Sequence, residues 1–187
     1  MPSASRPLFR SLSILACAAA LPALAQDAGV PHTPSVYLQG GRAGSATDAL
    51  TLGATLPWPA WRRPLWGGEL RGHWDVYLSR WSFDGPGYDS LTLAGITPTL
   101  RLYPHAGRSA WFWEAGIGAT LADRRYRAGT REFSTRFNFA SHLGLGIHLG
   151  DQGRHELQLR VQHVSNAGIK HPNPGANSVQ LRYAAHF

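Results

Sequence analysis

From residue 34 onward, apolar and polar residues alternate with a period of two in eight stretches, near 34–44, 47–57, 66–79, 88–104, 110–122, 133–150, 153–165 and 176–187. Successive side chains of a strand point to opposite faces, so this alternation predicts eight strands, each with one apolar face. The stretch 153–165 is the clearest. His155, Leu157, Leu159, Val161, His163 and Ser165 share one face, and Arg154, Glu156, Gln158, Arg160 and Gln162 share the other. Earlier, Leu70, Gly72, Trp74, Val76 and Leu78 alternate with Glu69, Arg71, His73, Asp75 and Tyr77. Between 88 and 104 the apolar phase changes, from Leu91 and Leu93 to Leu100 and Leu102. Pro98 lies at the switch, which predicts a bulge there. The segment Pro57–Pro64 holds three prolines without amide donors and is expected to be a turn, with Trp58 and Trp61 suited to a membrane–water interface. Further turns are expected at 44–46, 84–87, 105–108 and 150–153, and a polar, arginine-rich connection at 123–131.

Two architectures accommodate such strands. In a soluble sandwich the apolar faces form a core; in a membrane barrel they meet lipid and the polar faces point inward. The even strand count, the aromatic clusters near strand ends and a final Phe187 resembling the C-terminal signature of bacterial outer-membrane barrels favour the second. The expected fold is therefore all-β, an eight-stranded antiparallel transmembrane β-barrel. A barrel of eight strands is filled by its own side chains, here arginines, glutamates and glutamines. With both termini on the periplasmic side, the longer connections 80–87 and 123–132 and the stretch from His163 to Asn177 face outward.

The N-terminus sets the compartment. Arg6 and Arg10 precede a short apolar run ending at Leu21, and Ala23-Leu24-Ala25 offers a small-x-small cleavage site. This is expected to be a secretory signal peptide over 1–25, leaving a barrel over 26–187. A lipoprotein reading through Cys17 would leave a very short apolar core. Cys17 is the single cysteine, so the mature chain has no disulfide or thiol chemistry. Losing Arg6 and Arg10 from the formal charge of +7 leaves +5. That balance suits phosphate-bearing partners, and export favours an anionic membrane surface over nucleic acid.

Several catalytic patterns are absent. His155-Glu156 lacks the following histidine of a zinc protease and lies in a strand; there is no Gly-x-Ser-x-Gly elbow and no phosphate-cradling glycine loop. The histidines show no metal-ligand spacing, and neither metal nor cofactor is expected. The pair His163-x-Ser165 stands apart. Both residues lie on the apolar face at the outer end of a strand, about 7 Å apart along the chain. They are either a base with its nucleophile or two polar residues that have reached the headgroup zone.

The run His163-Val164-Ser165-Asn166-Ala167-Gly168-Ile169-Lys170-His171-Pro172-Asn173-Pro174-Gly175 resembles the signature of the PagL family of lipid A 3-O-deacylases, and the stretch Phe137–Gly146 and the last strand are also similar. The resemblance implies an outer-membrane barrel that removes the ester-linked acyl chain at position 3 of lipid A from a site on its lipid-facing wall. It implies Ser165 as nucleophile, His163 as base, and Asn166 and Gly168 as oxyanion stabilisers. The family's acid falls at Asn177 and a second family acid at Ser141, both departures. Asn177 has the parity of Val179 and Leu181, so it is expected to face His163, where an amide can orient an imidazole without offsetting its charge. Lys170, His171 and the loop arginines are candidates for lipid A phosphates. The expected partners are lipopolysaccharide in the outer membrane and a second copy of the chain as a candidate homodimer. The alternative is a structural or adhesive barrel of weak or lost activity.

Overall fold

The structure is a computed structural model and describes residues 30–187; the expected signal peptide lies outside the described residues. Ten strands are formed: β1 Ser35–Ala43, β2 Thr47–Leu65, β3 Gly68–Ser82, β4 Ser90–Tyr103, β5 Trp111–Ala122, β6 Arg127–Ala128, β7 Arg131–Glu132, β8 Phe137–Leu149, β9 His155–Ser165 and β10 Ala176–His186. Eight of them close into an antiparallel barrel in the order β1-β10-β9-β8-β5-β4-β3-β2, and β6 pairs only with β7. The connections 83–89, 123–136 and 166–175 gather at one end, here the long-loop end. The short connections 66–67, 104–110 and 150–154 form the other.

Alternation assigns the two surfaces as expected. Leu38, Leu52, Leu78, Ile117, Leu143, Leu159 and Leu181 are each more than half exposed on the outer wall, which is costly unless lipid covers them. Inside, charge is paired. Asp75 accepts hydrogen bonds from Tyr37 (2.6 Å), Arg160 (3.1 Å) and Arg182 (2.9 Å). Glu114 accepts from Arg101 (2.6 Å) and from Arg160, and Arg101 also forks onto Glu156 at 2.7 and 2.9 Å. Every one of these groups is buried, so the network holds only because each charge has an opposite neighbour.

The interior is not polar throughout, which corrects the expected filling. At the long-loop end the inward positions carry Trp81, Leu91, Leu93, Ala140 and Val164. Tyr126, Ala128 and Phe133 fold over them from the 123–136 connection. Tyr126 meets Phe133 and Phe83 edge-on, and its hydroxyl pairs with Thr47 at 2.6 Å. The arginine-rich connection is thus a small hairpin, β6–β7, that plugs the barrel mouth.

The same plug removes the expected bulge at Pro98. The β3–β4 register is unbroken from Glu69↔Tyr103 to Ser82↔Ser90, and β4 and β5 keep one register on both sides of Pro98. Leu91 and Leu93 face the apolar plug, whereas Leu100 and Leu102 face the outer wall. What changes along β4 is the surroundings of each face, not the phase of the strand.

A second correction concerns Pro57–Pro64, which continues β2 instead of turning. β1 pairs with β2 only as far as Ser35↔Thr55, so beyond Thr55 this strand has one neighbour, β3. Half its amides there face no ladder, and a missing donor on that side breaks no bond. The register slips once, between Pro57↔His73 and Arg62↔Arg71, where residues 58–61 bulge out opposite Gly72 alone.

Candidate active site

The barrel closure brings three polar side chains into line on the outer wall. His163 of β9 is paired directly with Asn177 of β10 on one side and with Ser141 of β8 on the other. His163 and Asn177 are exposed and Ser141 is half-buried. His163 Nδ1 donates to Asn177 Oδ1 across 2.6 Å. That bond fixes the tautomer: with the proton on Nδ1, Nε2 is left as the free base.

Ser165 lies two residues on, on the same face of β9 and half-buried, with Phe139 of β8 as its cross-strand neighbour. Among the described residues its hydroxyl has no hydrogen-bond partner, His163 included.

Beneath the histidine lies a glycine. Gly175 has φ +63°, and a Cβ there would lie 2.7 Å from His163 Cε1. The imidazole can therefore settle beside Asn177 only because position 175 has no side chain. Gly175→Ala is expected to displace the ring and lower activity about 10-fold or more while the barrel still forms; turnover measured beside heat-modified gel mobility checks both parts.

The loop after Ser165 is pinned from inside. Asn166 is buried, and its amide nitrogen donates to Lys170 O (2.7 Å) and Ser134 Oγ (3.0 Å). Ser134 Oγ in turn donates to Lys170 O at 2.8 Å, and Arg131 to Gly175 O at 3.2 Å. The backbone amides of Asn166 and Gly168, the two positions the resemblance implies as oxyanion stabilisers, are both engaged: Asn166 N–H donates to Asn173 Oδ1 (3.1 Å) and Gly168 N–H to Asn166 Oδ1 (3.0 Å). Either one must exchange partner to receive an oxyanion. Lys170 and His171 are exposed on the rim of this loop.

An apolar groove of about 1030 Å³ runs along the wall from this polar row. His163, Asn177 and Ser141 line its upper end; Leu143, Ala115 and Leu100 line its course; Trp58 and Trp61 stand at the far end. Alternation along single strands could not reveal the groove, because it crosses strands. Gly175 was likewise missed, since a steric seat leaves no local signature.

One cluster elsewhere has the residue types of a metal site. Among the described residues, His148, Glu156 and His186 bring ligand atoms within 4.8 Å of one another inside the short-turn end. Arg101 already occupies both oxygens of Glu156, and Tyr103 OH lies 3.2 Å from His148 Nε2. The guanidinium supplies the positive charge a metal would bring, and the cluster belongs to the interior ion network.

Comparison with known proteins adds to this geometry. A family model described as lipid A 3-O-deacylase (PagL) matches residues 48–186. The chain is 33% identical to the lipid A deacylase PagL of Bordetella bronchiseptica over 98% of this chain and 97% of that protein. It is 33% identical to the lipid A deacylase PagL of Pseudomonas aeruginosa over 73% of this chain and 78% of that protein. Its fold superposes on the crystal structure of the outer membrane enzyme PagL with a TM-score of 0.69 and 24% identity, covering 82% of this chain and 99% of that one.

Proposed function

Since the chain belongs to the PagL family of lipid A 3-O-deacylases, we propose that it removes the acyl chain ester-linked at position 3 of lipid A in the outer leaflet of the bacterial outer membrane. The observation that carries the reading is the oriented His163, held by Asn177 at 2.6 Å on a wall that faces lipid, with Ser165 beside it and an apolar groove leading away. The long-loop end is then the cell exterior.

Ser165 Oγ attacks the ester carbonyl and His163 Nε2 takes its proton. The tetrahedral oxyanion is received by the amides of Asn166 and Gly168 once each exchanges its present acceptor for it. Collapse expels the sugar 3-oxygen, which takes the proton back from His163. Water, deprotonated by the same nitrogen, then hydrolyses the acyl-serine and frees the fatty acid. The sequence of steps uses no metal or cofactor and one copy of the chain. Lys170, His171 and the rim arginines hold lipid A phosphates in this reading.

Asn177 favours a second reading, a barrel of weak or lost activity. In a serine triad, replacing the acid with an amide lowers the rate about 10⁴-fold, largely because the imidazole adopts the wrong tautomer. Here Asn177 presents its oxygen to Nδ1, so the tautomer is kept and only the charge on the imidazolium goes unbalanced. Asn177→Asp is accordingly expected to raise deacylation by about 10-fold. Mass spectrometry of lipid A from cells expressing each form measures this. A wild type that leaves position 3 fully acylated, with no gain in Asn177→Asp, establishes the inactive barrel.

A further inference from the structure

We propose that Trp58 and Trp61 are the end wall of the groove and set the longest acyl chain the protein removes; this rests on the deacylase reading. The groove follows one line of cross-strand partners: Val179, Val161, Leu143, Ala115, Leu100 and Gly72. That line begins beside Arg42, one residue from the long-loop end of β1, and ends at Gly72, near the short-turn end of β3. It therefore descends the lipid-facing wall obliquely. From β9 to β3 it crosses four strand spacings, roughly 19 Å. The small side chain of Ala115 keeps the channel open midway, and its lining is apolar beyond the His163 row.

Along this line the channel stops at Gly72, while a second apolar groove lined by Leu65, Trp66, Leu102 and Trp113 branches from its side at Leu100, Ala115 and Leu143. A Cβ at Gly72 would lie 1.9 Å from Trp58 Cε3, so the indole occupies the place a side chain would take. Trp58 meets Trp61 and Trp74 edge-on, with centroids 5.5 and 5.6 Å apart. Both Trp58 and Trp61 come from the four-residue bulge of β2, whose only counterpart on β3 is Gly72. His32 Nε2 lies 3.3 Å from Trp58 O and ties the bulge down from the N-terminal segment. Trp58 Nε1 is buried with no partner among the described residues, so the indole acts here through its shape. A bulge that breaks the register to set two tryptophans edge-on at the end of a channel leading from the His163 row makes a length stop. A chain that ends before the wall is buried along its whole length. A longer one has to bend out of this line or push its ester back from Ser165, where a displacement of about 1 Å costs about 100-fold in rate.

The test uses the full-length protein in mixed micelles with lipid A preparations whose position-3 chains lengthen stepwise. Rates on long and short chains are compared as a ratio within each variant, so that a general loss of fold or activity cancels. In the wild type, kcat/KM is expected to fall about 10-fold or more once the chain outruns the wall. Trp58→Ala and Trp61→Ala, made separately, move that threshold to longer chains. Trp58→Phe preserves it, because the indole N–H has no partner to lose. Ala115→Phe, placed midway, moves it to shorter chains. Length profiles that coincide in all four variants and the wild type overturn the wall and leave the deacylase reading intact. A wild type that cleaves none of the series removes both.

Discussion

Ser165→Ala is expected to lower the release of the position-3 chain by about 10⁴-fold or more, down to what binding and oxyanion stabilisation supply alone. The prediction is sharper than for most serine hydrolases, because the structure offers His163 two hydroxyls. Ser141 is directly opposite His163 on β8, whereas Ser165 is two residues along β9. Direct partners on adjacent strands are about 5 Å apart at Cβ, against about 7 Å for i, i+2 on one strand. Distance alone would choose Ser141. What favours Ser165 is its position at the mouth of a tight turn, where Asn166 and Gly168 bring backbone amides that no residue near Ser141 matches. Ser141→Ala should therefore leave most of the activity in place. His163→Ala should be as damaging as Ser165→Ala, and the double variant no worse than either, since the two act as one unit. Rates in micelles, followed by mass spectrometry of the released fatty acid, measure all four. If Ser141→Ala is the silent form and Ser165→Ala the active one, the roles assigned here are reversed.

The second large effect is on stability. Asp75→Ala is expected to destabilise the barrel by about 3–5 kcal/mol, because it strands buried positive charge without removing it. Asp75 receives Arg160, Arg182 and the Tyr37 hydroxyl. Without it, Arg182 keeps only Gln39 (2.9 Å) and the face of Tyr37, 3.5 Å from ring centroid to guanidinium carbon. Arg160 keeps Glu114, so Arg182 is the group left most exposed to the loss. The contrasting variant is Asp48→Ala, whose partner Arg42 stands 3.8 Å away with both side chains largely in solvent. Exposed pairs contribute little, and this change should leave stability within error of wild type. Urea unfolding in lipid vesicles, read by heat-modified gel mobility, compares the two. Equal effects would mean that the interior network is not what holds the barrel closed.

Much of this was legible along the chain. Strand number, strand faces and the shared face of His163 and Ser165 follow from a period of two, which each strand states for itself whatever its neighbours do. The prolines of Pro57–Pro64 misled because proline forbids a ladder only where a second strand waits for its amide. That β1 stops at Ser35 is a property of another part of the chain. Leu91 and Leu93 misled for a related reason. The local pattern tells which residues share a face but not what that face meets, and the hairpin β6–β7 turns the inside of the barrel mouth apolar.

The sequence by itself determined an eight-stranded wall with an apolar exterior and a histidine–serine pair on it, because these are matters of alternation and spacing. The tertiary structure decided the rest, because closure sets which residues of distant strands become neighbours. It sets the register that brings Asn177, expected from its parity, directly opposite His163, leaves Gly175 as the seat of the imidazole, and aligns small and apolar residues from separate strands into a groove ending on Trp58. A register between strands is a relation between two segments and the way the barrel closes on itself, and no single stretch of sequence contains it.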